Sequence, residues 1–109
     1  MAKFYLTNAI PYVNGSAHLG HSLEFVISDV INRYHWLNGD EVLAICGSDE
    51  NGQKILEAAK KEKLEPQQLA DKNTQAFLDH LTHLNVSFDV WRRATDQKLH
   101  WPGVTKLWQ

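Results

Sequence analysis

An unbroken apolar run, Val42-Leu-Ala-Ile-Cys46, bracketed by Asp40-Glu41 and Gly47, constrains the fold of this chain most. Side chains alternate across a strand, so a run that is apolar at every position needs cover on both faces. An interior strand of a parallel sheet supplies that cover. The residues before the run provide the connection a parallel pair requires. Phe4-Tyr-Leu-Thr-Asn-Ala9 is aromatic and β-rich and reads as a short strand. From Leu19, apolar residues recur at helical intervals through Leu23, Val26, Ile27, Val30, Ile31, Tyr34 and Leu37. The spacing predicts a helix with one buried stripe, ended at Asn38-Gly39. Residues 4–46 therefore spell an α/β fold: a parallel βαβ unit, expected to cross over right-handedly.

Two polar loops follow from this topology. Residues 10–18 hold the turn formers Pro11, Asn14, Gly15 and Ser16, and residues 47–52 read Gly-Ser-Asp-Glu-Asn-Gly. Both lie beyond the carboxyl ends of strands, where open α/β sheets bind ligands, so they are expected on one edge of the sheet. Helices follow the unit. Gln53 to Lys63 carries Ile55, Leu56 and Ala59 inward, and Pro66 opens a second helix with Leu69, Ala76, Phe77, Leu81 and Leu84 at core spacing. Val86 to Val90 reads as a short strand, and Trp91 to Trp101 gives no decisive pattern. Pro102 opens a last helical segment, Gly103 to Gln109, with no stop signal after it. The expectation is that these residues are the first part of something longer.

Composition excludes several classes. Eleven basic against thirteen acidic residues argue against a broad basic nucleic-acid face. The single cysteine, Cys46, excludes an internal disulfide framework and a Cys-rich zinc site within these residues. No apolar run approaches the ~18 residues of a membrane span, and the N-terminus lacks a signal-peptide pattern. A cytoplasmic location and no membrane partner are expected.

The chemistry-bearing candidates cluster in the two loops. His18-Leu-Gly-His21 falls where the long helix begins, so its two imidazoles share a helical face beside free backbone N–H groups, a setting suited to phosphate. Gly20 lets a planar ring or a backbone come close. Neither Gly-x-Gly-x-x-Gly nor Gly-x4-Gly-Lys-Ser/Thr is present, which disfavours a dinucleotide fold or a P-loop. Asp49-Glu50 could meet an amino group or a metal, or could be a solvated turn. Tyr12 could wall an amino-acid pocket or pack the loop down. His80-x-x-His83 reads as a polar helix face, Arg92-Arg93 as a surface pair, and Cys46 as a small core residue.

The run Asn8-Ala-Ile-Pro-Tyr-Val-Asn-Gly-Ser-Ala-His-Leu-Gly-His21 resembles the opening of the methionyl-tRNA synthetases, a branch of the class I aminoacyl-tRNA synthetases. Its last four residues resemble the class signature His-Ile-Gly-His, and the Pro-Tyr-x-Asn-Gly run points to the methionine branch. Gly47-Ser-Asp-Glu-Asn-Gly-Gln-Lys-Ile55 resembles that branch's Gly-Thr-Asp-Glu-His-Gly-Gln-Lys-Ile segment, with Ser48 and Asn51 in place of threonine and histidine.

The resemblance implies the first half of a Rossmann-like nucleotide-binding domain. Residues 1–109 would be the N-terminal part of the catalytic domain, ending near the family's connective insertion. It also implies ATP-dependent formation of methionyl-adenylate and transfer of the methionyl group to tRNA, with magnesium accompanying the ATP. His18 and His21 would contact the ATP phosphates and stabilise the transition state. Asn14 and Gly20 would complete the ATP site. Ile10, Tyr12 and Asp49 would bind methionine, Asp49 through its ammonium. No zinc site is expected here, and most tRNA contacts are expected elsewhere in such an enzyme. The family's Lys-Met-Ser-Lys-Ser loop does not occur in these residues, so the chain alone is expected to be inactive. The alternatives are another class I amino acid, or a stand-alone nucleotide- or protein-binding module derived from such a synthetase.

Overall fold

A computed structural model describes all 109 residues. In chain order the elements are β1 (Lys3–Thr7), α1 (Leu19–Leu37), β2 (Glu41–Ser48), α2 (Gln53–Glu62), α3 (Pro66–His83), β3 (Val90–Arg93) and α4 (Trp101–Trp108). The three strands form one all-parallel sheet in the order β1-β2-β3, so the apolar run occupies the interior strand, but it is not covered on both faces: Ala44 and Cys46 are buried while Leu43 is 43% exposed. Thr7 pairs with Ile45, and Ser48 with Arg93. Gly39, at φ 84, ends α1 in the left-handed region that favours glycine. Gly47 is needed for a different reason: a Cβ there would lie 2.0 Å from the Arg92 carbonyl oxygen, so β2 and β3 could not approach.

One hydrophobic cluster holds these layers together. It joins Val13, Phe25, Cys46, Ile55, Ala59, Leu69, Ala70, Phe77, Leu81 and Val86. Phe25 is its centre, meeting Phe77, Phe88 and Trp91 edge-on at ring-centroid distances of 6.4, 6.0 and 6.4 Å.

The apolar stripe of α1 does not face this core. Leu19, Leu23 and Val30 are 85%, 62% and 60% exposed, and Ile27, Tyr34 and Leu37 are exposed too. The buried face is Phe25, Ser28, Asp29 and Asn32, itself at helical spacing. Polar anchors turn the helix this way. Ser28 Oγ donates to Asn8 Oδ1 at the end of β1, and the Asp29 carboxylate accepts from the Ser87 N–H at 3.2 Å. The Arg33 guanidinium bonds Asp29 at 2.5 Å and the Asn85 carbonyl at 2.7 Å. These bonds, with the Phe25 ring, turn Ser28 and Asp29 inward, where unpaired polar groups would be costly; the buried Asn32 amide beside them makes no side-chain hydrogen bond.

Smaller differences have equally local causes. The third strand is Val90–Arg93, not Val86–Val90. Asn85 turns the chain at φ 55, Val86 drops into the core, and the Asp89 carboxylate takes the Ala44 N–H at 2.7 Å, so strand pairing starts one residue later. β1 ends at Thr7 because Asn8 spends its side chain on Ser28 and the Ala9 carbonyl. Leu56 and Ala76, expected inward, are exposed, whereas Asn73 and Thr74 are buried on α3. α4 buries none of its residues.

The two faces of α1 predict opposite outcomes in thermal unfolding. Phe25→Ala should cost about 3–5 kcal/mol, as emptied aromatic core sites do. Leu23→Lys and Val30→Lys should stay within about 0.5 kcal/mol of the parent chain, as exposed substitutions do. Losses at Leu23 or Val30 comparable to Phe25→Ala would place the stripe in the core after all.

Candidate active site

The two loops meet at the carboxyl ends of β1 and β2. The Asp49 N–H donates to the Pro11 carbonyl at 2.9 Å, and the Val13 N–H donates to the Asp49 carbonyl at 3.2 Å. Tyr12 and Asp49 thus form a parallel bridge that extends the β1–β2 pairing into the loops. From below, the buried Asn73 Nδ2 donates to the Val13 carbonyl at 2.7 Å, fixing the first loop to α3. The shared edge expected from topology is therefore a hydrogen-bonded unit.

His18 is the N-cap of α1. Its Nδ1 accepts from the Gly20 N–H at 3.1 Å, while His21 Nδ1 accepts from the His18 N–H at 3.1 Å. This is a capping box built from imidazoles. A ring nitrogen that accepts carries no proton, so both rings are neutral Nε2–H tautomers whose remaining hydrogen-bonding atom is a donor. The rings stack at a centroid distance of 3.8 Å. A Cβ at Gly20 would lie 2.9 Å from His18 Cε1, so the glycine first serves the histidine beside it.

The site extends onto α3. The edge of the Phe77 ring meets His21 at 5.1 Å, and His80 Nε2 lies 2.7 Å from Ser22 Oγ, so His80 braces the first turn of α1 rather than being only a polar surface residue. Burial, the His18 and His80 imidazoles together push the His21 pKa below its ordinary value, against a smaller opposing effect of Glu24.

The two acids of the second loop have separate fates. Asp49 is half-buried, and its Oδ1 accepts only from the Asn51 N–H at 3.3 Å, leaving Oδ2 without a protein partner. Glu50 has a side chain 0% exposed. It accepts from Ser48 Oγ at 2.7 Å, Thr74 Oγ1 at 2.8 Å, Arg93 Nε at 2.6 Å and Nη2 at 3.1 Å, and from Thr95 Oγ1. Burial alone would raise its carboxyl pKa, but these bonds together outweigh burial and hold it below the usual carboxylate range. Arg93 is thus no surface arginine: it spans Glu50 and Asp71, the latter at 2.6 Å.

Among the other candidates, Ile10 and Tyr12 are exposed at the rim, with Lys54 Nζ 5.9 Å from the Tyr12 ring centre. Asn14 lines a shallow hollow beside Lys54, Glu57 and Ala58 of α2 and makes no side-chain hydrogen bond. Cys46 is buried, and burial pushes its thiol up to about 11, in keeping with a core role. His83 is exposed, and no group of three His, Cys, Asp or Glu side chains is placed to hold a metal ion. No helix is long and apolar enough to cross a membrane. Sequence reasoning missed Asn8, Asn73 and Arg93 as site anchors. For Asn73 a signal existed: it interrupts the apolar stripe Leu69, Ala70, Phe77, Leu81 of α3.

The family model for tRNA synthetases class I (M) matches residues 4–109. The chain belongs to that family. Relatives in it include the methionine–tRNA ligase of Brucella suis, 40% identical over 107 residues, and that of Mycoplasma genitalium, 40% identical over 109 residues. These alignments cover 98% and 100% of this chain but 21% of each relative, so the chain spans about a fifth of their length. The fold is similar to Mycobacterium tuberculosis methionyl-tRNA synthetase, whose structure is a complex with methionyl-adenylate. The TM-score is 0.87 at 36% identity, over 89% of this chain and 19% of that one. The parallel sheet with flanking helices is thus the Rossmann-like architecture of a class I synthetase catalytic domain.

The lowered His21 pKa sets a pH dependence. A histidine whose pKa falls on folding favours the neutral ring. Its contribution is complete above the unfolded value, about 6.5, and is lost as pH drops through the lowered value. The melting temperature should fall between pH 7.5 and 5.5. His21→Gln, which keeps an acceptor for the His18 N–H, should flatten that slope. An unchanged slope in the variant would remove His21 as its origin.

Proposed function

We propose that the chain is the N-terminal part of the catalytic domain of a methionine–tRNA ligase, the part that receives methionine and ATP. The observation that carries this reading is the joining of Asp49 to the His18–His21 loop through the Tyr12–Asp49 bridge at one sheet edge. A carboxylate with a free oxygen and two Nε2–H donors at a helix start then lie on loops joined at one sheet edge. The family, and a neighbour whose structure holds methionyl-adenylate, support the same substrates.

In this reading the Asp49 carboxylate takes the methionine ammonium, which leaves the amino-acid carboxylate free to attack the α-phosphorus of ATP. Ile10 and Tyr12 border the thioether side chain. The His18 and His21 Nε2–H groups, with the first free backbone N–H groups of α1, donate to phosphate oxygens as charge shifts toward the leaving pyrophosphate. Gly20 keeps the helix start low beneath the adenosine, and Asn14 lies on the outer wall of the ATP-side loop. Magnesium arrives on the ATP phosphates and offsets their charge; the chain itself gathers no cage for it. The second step passes the methionyl group to tRNA, in the cytoplasm, using parts that lie in the other four-fifths of such a ligase.

Methionine-dependent exchange of pyrophosphate into ATP tests the reading. The 109-residue chain should show no exchange, because the Lys-Met-Ser-Lys-Ser lysines are not among its residues. Fused to the remaining portion of the Brucella suis relative, it should exchange with methionine and not with leucine or valine. In the fusion, His18→Ala or His21→Ala should lower kcat by about 10²-fold, the usual effect of removing one transition-state donor. Exchange by the isolated chain, or full rates in both histidine variants, would overturn the assignment.

A further inference from the structure

We infer that Glu50 and Arg93 are positioning residues for the amino-acid substrate: the ion pair of the buried Glu50 with the partly exposed Arg93 decides that Asp49 turns its carboxylate to the loop edge. The inference rests on the reading of Asp49 as the partner of the methionine ammonium.

Side chains alternate with period two along an extended backbone. Asp49 is extended and bridged to Tyr12, so the side chains of Ser48 and Glu50 leave one side of the backbone and that of Asp49 leaves the other. The Ser48 Oγ to Glu50 Oε1 bond of 2.7 Å, and the full burial of both residues, agree with this alternation. Whatever holds Glu50 inward therefore holds Asp49 outward. Two neighbouring acids of one loop would otherwise be near-equivalent, and the strand end could rotate to present either.

Glu50 is held from three further directions. Thr74 reaches it from α3, Arg93 from β3, and Thr95 from the segment after β3. The Arg93 contact is a two-point fork through Nε and Nη2, which fixes the carboxylate plane as well as its position. Arg93 is itself steadied by Asp71 at 2.6 Å. So many donors on one buried acid specify a single orientation more than they add stability. The neighbouring Asp49 backbone carries the bonds to Pro11 and Val13, so the same anchor sets the first loop. None of Glu50, Thr74, Arg93 or Thr95 needs to touch substrate for this effect.

Two measurements decide it. In the fusion described above, Glu50→Gln should raise the methionine KM roughly tenfold, the weight of one charge-assisted hydrogen bond, with the ATP KM unmoved. Arg93→Met should match it, and Arg93→Lys, which keeps the charge but not the fork, should recover part of the loss. Thr95→Ala, a milder change, should raise the methionine KM about threefold. In the 109-residue chain, Glu50→Gln should speed amide exchange at Asp49 and Val13 while the Glu41 and Asp89 amides, bonded elsewhere to Ala2 and Ala44, keep their rates. Equal rises in both KM values, or uniform acceleration of all four amides, would reduce the pair to general stability and overturn the inference. Asp49→Asn separates the two ideas. If it leaves the methionine KM unchanged, the reading of Asp49 fails. If it raises the methionine KM while Glu50→Gln and Thr95→Ala do not, only the positioning role fails.

Discussion

A carboxylate with no exposed side-chain surface has to be neutralised where it stands, and around Glu50 that requirement organises this end of the molecule. Its partners come from β2, α3, β3 and the segment beyond. The hydrophobic cluster around Phe25 and Phe77 brings the helices onto the sheet, but apolar packing alone tolerates sliding and rotation. The directional bonds at Glu50 remove that freedom at the strand ends, where ligands meet the fold. The cost is a buried carboxylate, offset by the fork of a partly exposed arginine and three hydroxyl donors.

The second organising feature is the start of α1. A helix begins with unpaired N–H groups, and here two of the site's donors are satisfied by the imidazoles that would meet substrate. One set of residues thereby caps the helix, fixes two tautomers and leaves two Nε2–H groups as donors. Protonation of His21 at Nδ1 would break the bond it accepts from the His18 N–H, which couples the state of the site to the start of the helix. His80 and Phe77 extend this unit to α3, so the start of α1 and the Glu50 cluster are braced by the same helix.

Much of this was legible in the residues. The apolar run of β2, the helical spacing of α1, the stop at Gly39 and the two loops at one edge all follow from local pattern, because each depends on neighbours a few positions away. The face of α1 did not. Its stripe from Leu19 to Leu37 is the stronger apolar signal, yet the buried side is Phe25, Ser28, Asp29 and Asn32. Partners for Ser28 and Asp29 sit at Asn8 and Ser87, and Arg33, which bonds Asp29, also reaches the Asn85 carbonyl; all are far away in sequence, and periodicity carries no information about them. Arg93 is the same case: two adjacent arginines look like surface charge until Glu50 and Asp71 are brought beside one of them.

By itself the sequence determined the element order, the parallel βαβ core, and the motif residues His18, Gly20, His21 and Asp49 that mark the family. Those depend on side-chain period, turn residues and spacing, all local properties. Only the tertiary structure decided which face of α1 is covered, where β3 starts, and which of the two adjacent acids is free. The last depends on long-range hydrogen bonding: Glu50 finds four donor residues inside the fold and is spent there, while Asp49 keeps one carboxylate oxygen without a protein partner.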